Sequence, residues 1–250
     1  FPYTTLFRSI RPVAGPPRPG ALPCGQAVPA RVRRHRETLT MTDTIEGLFQ
    51  EGYWGSWDQI ETFRHRAAAR LVRQGPVLDV GAGDGFFLGL LKKERGIEGR
   101  GIDLSAVAVE KAAKKGIDVR VADLSREKLP FTDGSSATVV LLDVLEHFFR
   151  PEQLLAEVAR VTSSDLVVSV PNFSSLPARL QVLRGRVPEN NTPRKGHVYW
   201  FTWGKLRKML DDSGFEVIDA RFNANFERLP FVGGVFRQLA ARFPSLFALS

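Results

Sequence analysis

Cysteine is nearly missing from this chain of 250 residues: Cys24 is the only one. One thiol cannot close a disulfide within the chain, and the rest of the sequence offers no cysteine-based metal site. That usage agrees with a reducing, cytoplasmic setting. Long apolar runs are missing too. No stretch approaches the ~20 apolar residues of a spanning helix. The chain start lacks the basic-then-apolar order of a signal peptide, because residues 10–36 mix Pro, Gly and Arg instead. Acidic residues are scarce in the first forty positions, where seven arginines (Arg8, Arg11, Arg18, Arg31, Arg33, Arg34 and Arg36) face one acid, Glu37, a net of +6. Residues 41–250 carry 28 basic and 26 acidic side chains, a net of only +2 out of the chain's +8. The body therefore has no basic excess with which to attract a polyanion.

What is present fits an enzyme-sized core: 43% of residues are apolar and 10% aromatic. Residues 10–36 hold six prolines and no acid, and the whole of 1–40 is expected to be disordered. The first Met is Met41, where the texture changes. Residues 44–73 read as mostly helix. Strands and helices then alternate. PVLDVG (76–81) is a buried strand, FFLGLLKKER (86–95) a helix stopped by Gly96, and GRGIDLS (99–105) a strand and turn. Ser105 caps a helix running to Lys115, with Gly116 beyond its end. Residues 117–123 and 137–143 are strands, Pro151 opens a helix, and 165–171 is a strand. Residues 172–200 look irregular because of their Pro and Gly. Thr202 caps a helix ended by Gly214, and 215–222 is a strand. The expected fold class is α/β: a single domain with a doubly wound, mostly parallel sheet behind a helical lead-in.

Between the first strand and its helix lies Asp79-Val80-Gly81-Ala82-Gly83-Asp84-Gly85. Glycines there permit positive φ and let a ligand approach the backbone, and the helix N-terminus behind them offers free N–H groups. A nucleotide-like ligand is expected at this switch point. The dinucleotide fingerprint G-x-G-x-x-G is not met, since Phe86 stands where its third Gly belongs, and no Gly-Lys-Ser/Thr ends the turn as in a P-loop. Asp103 ends the second strand of the alternation, where a carboxylate can accept both hydroxyls of a ribose. Asp123 ends the third, where one can accept from an adenine amino group.

VLDVGAGDG, GIDLS, VADLS and LLDVLEHF, in this order and spacing, resemble the class I S-adenosylmethionine-dependent methyltransferases (Rossmann-like fold) over roughly 75–222. The resemblance implies S-adenosylmethionine (AdoMet) as cofactor. It implies that Asp79, Gly81, Ala82, Gly83 and Gly85 wall the methionine portion and that Asp103 and Leu104 meet the ribose. Ala122, Asp123 and Leu124 would flank the adenine, with Asp143 beside the cofactor. The second half is similar to the MetW-like proteins of methionine biosynthesis. A Pro-Asn-Phe follows the fifth strand, then Arg-Leu-Gln, Gly-Arg-Val-Pro, and Thr-Pro ahead of His197. Two departures stand out: Ala82 replaces the family's common Cys, and Arg194-Lys195-Gly196 precede His197 where the family is shorter.

On the acceptor side Glu146, His147 and His197 are the candidate catalytic residues, His147 as a base near neutral pH. Asn172, His197 and Arg179 are the candidate substrate contacts, with Arg184 and Arg186 as further cations for an anionic acceptor. Tyr199-Trp200-Phe201 could wall a pocket. No metal is expected. The first reading is methyl transfer to a small-molecule acceptor. The alternative is a non-catalytic AdoMet-binding partner that docks on a homoserine O-acyltransferase. An NAD-linked oxidoreductase would need the missing fingerprint. A nucleic-acid methyltransferase would need a basic body and an Asn-Pro-Pro-Tyr-like motif or a catalytic Cys.

The two ends carry expectations of their own. FPYTTLFRS (1–9) reverse-translates into a run that looks like a sequencing-library adapter read in frame, so 1–40 is expected to be non-native, with Met41 as the start. In 229–250, Phe236, Leu239, Phe243 and Phe247 follow helical spacing. The expectation is a helix packed on the domain, with a membrane-surface or partner helix as the alternative, in a chain cut before a last antiparallel strand.

Overall fold

The computed structural model describes residues 5–10, 52, 54, 58–125, 127–188 and 196–222. In chain order the elements are β1 (Thr5–Ile10), α1 (Phe63–Leu71), β2 (Val77–Val80), α2 (Phe86–Arg95), β3 (Gly99–Asp103), α3 (Ala106–Lys114), β4 (Val119–Val121) and β5 (Ser136–Leu142). A 3-10 turn (Leu145–His147), α4 (Pro151–Val161), β6 (Thr162–Val170), α5 (Leu176–Leu183), α6 (Trp203–Asp212) and β7 (Glu216–Phe222) follow. One sheet runs β4-β3-β2-β5-β6-β1-β7. The ladders from β4 through β6 are parallel, and β1 pairs antiparallel with both β6 and β7.

The apolar runs of β5 and β6 are buried on both faces, as parallel strands covered by helices must be. Val139, Leu141, Leu166 and Val168 pack on one side with Leu154, Leu155 and Val158 of α4 and Leu206 and Leu210 of α6. Val140 and Val167 point to the other side and meet Ala68 of α1 and Phe87 and Leu91 of α2. This period-two alternation fixes the register, because a one-residue slip would swap the two cores. Among the described residues no helix is long and apolar enough to cross a membrane.

The punctuation works as read at several points. Ser105 Oγ accepts from Ala108 N–H at 3.2 Å, Thr202 Oγ1 accepts from Lys205 N–H at 3.3 Å, and α2 ends at Gly96 with φ 64°. Three expectations need correction. Residues 172–200 are not wholly irregular, since α5 occupies 176–183. Pro177 falls in its first turn, where the missing N–H costs nothing, and Gly185 follows its end with φ 67°. These residues punctuate the helix rather than break it.

The helical stretch of 44–73 is interrupted among the described residues: Gly52 and Trp54 are helical, Asp58–Thr62 is extended or irregular, and α1 begins at Phe63. Residues 5–10 are not disordered but form β1, whose backbone groups satisfy the facing edges of β6 and β7. The remainder of 1–40 and the segment 229–250 lie outside the described residues.

Candidate functional site

The site lies at the carboxyl ends of the parallel strands, where β2 stands between β3 and β5 and the chain changes direction across the sheet. The turn after β2 is fastened to β3. Gly81 N–H and Ala82 N–H both donate to the Ile102 carbonyl, at 2.8 and 3.0 Å. Gly83 N–H donates to Asp103 Oδ2 at 2.7 Å, and Ser105 N–H donates to Oδ1 at 2.9 Å. Two backbone donors therefore orient the Asp103 carboxylate. Gly81 and Gly83 adopt φ of +75° and +56°, and neither has room for a Cβ. At Gly81 it would meet Val144 Cγ2 at 2.6 Å. At Gly83 it would run into the Trp54 ring and lie 2.9 Å from Gln59 Nε2. Gly85 is the left-handed cap of α2.

Asp79, at 2% exposure, is buried beneath this turn. Burial, then the charge of Asp103, push its carboxyl up to about 8 against the pull of Arg64, so it is protonated at neutral pH. Ala122 N–H donates to the Asp103 carbonyl at 2.9 Å, which brings the end of β4 alongside. There Asp123 Oδ1 accepts from Ser125 N–H at 3.0 Å and Ser125 Oγ–H at 2.5 Å. Leu104 and Leu124 follow their carboxylates, half-buried. Fully buried Asp84 accepts from Lys115 Nζ at 2.5 Å, Phe86 N–H at 3.2 Å and Gln59 N–H at 3.3 Å, tying the lead-in to the turn.

After β5 the backbone of Asp143 enters the left-handed region, φ 58°, the only non-glycine to do so among the described residues. Such a conformation costs about 1–3 kcal/mol and is held by its surroundings. Asp143 N–H donates to Ser169, to its carbonyl at 3.1 Å and its Oγ at 3.0 Å, and Ser169 Oγ–H donates back to Asp143 Oδ1 at 2.7 Å. Arg64 pairs with the other carboxylate oxygen. Burial pushes this carboxyl up, but Arg64, Ser169 and His197 outweigh it and hold it below the ordinary carboxylate range.

His147 is held neutral by burial, partly opposed by its Gly196 hydrogen bond and by Asp143. Its Nδ1 lies 3.2 Å from the Gly196 carbonyl. His197 Nε2 stands 3.9 Å from Glu146 Oε1. The structure thus brings all three candidate catalytic residues together. Asn172 is buried beside them in a parallel bridge with Phe201, and its Oδ1 accepts from Ser174 N–H at 3.0 Å and Oγ–H at 2.8 Å, a turn-forming role. Arg179 is exposed and donates from Nε to the Ser174 carbonyl at 2.7 Å. Arg184 and Arg186 are also exposed. Of the aromatic run, Phe201 is core and Trp200 stacks on Phe173 at 6.2 Å. A cleft of about 440 Å³, lined by Leu124, Ser125, His147, Phe149 and Arg150 among others, joins the Asp123 loop to His147.

Arg64, Trp54, Asp84 and Ser169 were not legible as site residues. Ser169 alone left a signal, as the one polar residue in the apolar stretch LVVSV; it is fully buried.

Residues 63–211 match the family described as methionine biosynthesis protein MetW. The chain is 31% identical over 185 residues to a "Probable S-adenosylmethionine-dependent methyltransferase" of Mycolicibacterium smegmatis, covering 72% of this chain and 66% of that protein. It is 31% identical over 182 residues to a protein of like description from Mycobacterium tuberculosis, covering 71% and 61%. The chain therefore spans 61–66% of the length of these curated relatives. Among solved structures it resembles magnesium protoporphyrin IX methyltransferase of Synechocystis with bound SAH, with a TM-score of 0.54 and 19% identity, covering 74% and 91% of the two chains. It also resembles an Archaeoglobus fulgidus SAM-dependent methyltransferase, with a TM-score of 0.51 and 24% identity, covering 82% and 96%. At these identities the likeness is one of fold, and the fold is that of the class I methyltransferases.

Proposed function

The chain belongs to the MetW family of methionine biosynthesis proteins, and from that premise we propose that it binds AdoMet and transfers the methyl group to a small-molecule acceptor in the cytoplasm. The observation that carries this reading is the 2.7 Å bond from Gly83 N–H to Asp103, which fastens the glycine turn to a strand-end carboxylate. The cofactor, when bound, supplies an electrophilic methyl group on a sulfonium.

The chain's own residues do the rest. Asp103, oriented by its two backbone donors, accepts from the ribose hydroxyls, with Leu104 alongside. Ala122, Asp123 and Leu124 flank the adenine. Asp79, Gly81, Ala82, Gly83 and Gly85 wall the methionine portion, and Asp143 marks its methyl end. Alignment of acceptor and methyl in this crevice supplies much of the rate. A hydroxyl acceptor must also lose a proton, and neutral His147 faces the cleft that would admit it. Asn172, buried in its turn, and the exposed Arg179 remain the proposed acceptor contacts, reached once the acceptor has entered the cleft.

A regulatory reading, in which the chain senses AdoMet while docked on a homoserine O-acyltransferase, rests on the family description. Calorimetry with S-adenosylhomocysteine (AdoHcy), paired with turnover of AdoMet by the isolated chain over a panel of hydroxyl, amine and thiol acceptors, separates the two. Binding with turnover supports the enzyme. Tight AdoHcy binding with no turnover on any acceptor, and capture of an acyltransferase, would favour the sensor. No AdoHcy binding refutes both.

A further inference from the structure

Glu146 and His147 belong to the 3-10 turn after β5, while His197 sits in a loop about fifty positions later. The two segments are locked together. Val198 N–H and Tyr199 N–H both donate to the Glu146 carbonyl, at 2.9 and 3.0 Å, and Phe173 N–H donates to the Phe201 carbonyl at 2.8 Å. His147 Nδ1 lies 3.2 Å from the Gly196 carbonyl, which can only accept. Nδ1 therefore carries the proton and Nε2 is the acceptor nitrogen. This is how a metal-binding imidazole is usually oriented, by donating its other N–H to a carbonyl. The His147 and His197 rings meet edge to face, 5.0 Å between centroids and 82° between planes. His197 Nε2 is 3.9 Å from Glu146 Oε1. One donor atom from each of Glu146, His147 and His197 lies within 4.8 Å of the other two. The Glu146 carboxylate is buried, at 1% exposure, and so faces the two imidazoles from inside the protein rather than from solvent.

We propose that Glu146, His147 and His197 form a three-ligand site for a divalent transition metal of the zinc class. Two imidazoles and one carboxylate suit Zn²⁺, Fe²⁺ or Co²⁺, whereas Mg²⁺ and Ca²⁺ favour all-oxygen shells. Zinc–ligand bonds of about 2.1 Å set tetrahedral ligands roughly 3.4 Å apart, so the cage closes by about an ångström on binding. The side-chain torsions of Glu146 and His197 can supply that closure. Asp143 stays outside the ligand set, held by Arg64 and Ser169, and adds negative charge facing both imidazoles.

Three protein ligands leave a position open, as in catalytic sites. This part of the proposal rests on the methyltransferase reading: the open position takes an acceptor hydroxyl. Coordination lowers the hydroxyl's pKa and its proton leaves to solvent. The oxygen lone pair then forms the bond to the methyl carbon as the carbon–sulfur bond breaks, and the sulfonium becomes a thioether. The acceptor class is thus an oxygen nucleophile, and with His147 Nε2 on the metal and Nδ1–H on the Gly196 carbonyl, the metal takes over the proton-removing task that His147 would otherwise serve.

The test uses the full chain, stripped with a chelator and titrated with Co²⁺, read by its visible absorption and by Zn²⁺ competition. The expectation is one metal per chain, with affinity lowered about 100-fold in His147→Ala and in His197→Ala. Calorimetry with AdoHcy on the same variants is expected to show unchanged affinity, and His197→Gln repeats the measurement if the alanine variant loses its fold. A wild-type chain that takes up no Co²⁺ or Zn²⁺ at micromolar concentration overturns the site. So does a folded His197 variant that binds metal as tightly as wild type. Mg²⁺ binding in preference to Zn²⁺ overturns the assigned class. Metal binding without AdoHcy binding would uphold the site and overturn the cofactor reading instead.

Discussion

Asp103 and Asp143 end two strands of one crevice and are held in opposite ways. Asp103 takes its hydrogen bonds from Ser105, 2 positions away, and Gly83, 20 positions away. Asp123, in the same half, is held by Ser125, 2 positions away. Asp143 depends on Ser169 and Arg64, 26 and 79 positions distant, and His147 leans on a carbonyl 49 positions away. The two strand-end carboxylates of the cofactor half take backbone N–H donors no more than 20 positions away, whereas Asp143 and His147 in the acceptor half lean on partners that only the finished fold brings near. A local cradle can stay constant while the far side changes, so one fold can serve many acceptors.

The largest effect expected comes from Asp79, which breaks the comparison because burial governs it rather than near neighbours. Its folded carboxyl titrates near 8, raised from 3.8. Below pH 4 both folded and unfolded chains hold the proton and the linkage contributes nothing. Between pH 4 and 8 only the folded chain holds it, so stability falls as pH rises. Above pH 8 the loss is complete, on the order of 5 kcal/mol. Asp79→Asn is expected to flatten this slope in urea unfolding at pH 5, 7 and 9, and to exceed wild type at pH 9. A wild type equally stable at all three would refute the assignment. Bound AdoMet, a cation, favours the ionised form, so binding at pH 7 should release a proton, visible as a buffer-dependent enthalpy.

The same contrast explains what was legible in the sequence. Asp103 and Asp123 could be read because each follows its own strand within a few residues, and Ser105 and Thr202 because a cap acts over one turn. Glu146, His147 and His197 could be named one by one, yet their convergence could not, because it depends on the bonds from Val198 and Tyr199 to the Glu146 carbonyl. Arg64 left no local sign, since nothing about a basic residue near a helix start announces a partner after β5. The helix α5 was missed because Pro177 and Gly185 break helices in their interiors but punctuate them at their ends.

The next effect sharpens the local half. Asp103→Ala removes a charged acceptor for two ribose hydroxyls, about 3 kcal/mol or roughly 100-fold in AdoHcy affinity. Gly83→Val should fall at least as far, since its side chain would enter the space of Trp54 and Gln59. Unchanged calorimetric affinity in both would remove the proposed cofactor site. Far-ultraviolet circular dichroism should show the fold retained.

Arg64→Ala probes the distant half. It strips Asp143, 18% exposed, of its cation and should destabilise the chain by about 2 kcal/mol at pH 7. Asp143 titrates below the ordinary range when folded, so this contribution is present at neutral pH and fades as pH falls through its folded value. The difference between variant and wild type should therefore shrink toward pH 3. A difference independent of pH would mean that Arg64 acts through packing alone.

The smallest effect is expected where the sequence reading and the sheet differ most. Removing residues 1–40 deletes β1 and its ladders to β6 and β7. Two strands, β5 and β6, separate β1 from β2 and the glycine turn. If the cradle is as local as its hydrogen bonds indicate, AdoHcy affinity should stay within about twofold, as for any change at a distant, uncoupled site. A tenfold loss would show that the cradle draws on the whole sheet, and the contrast between the two halves would collapse. The unfolding midpoint answers a separate question. An unchanged midpoint supports the reading of 1–40 as foreign to the fold. A large drop would make β1 a working strand of it, because β6 and β7 would then lack the backbone partners that β1 provides.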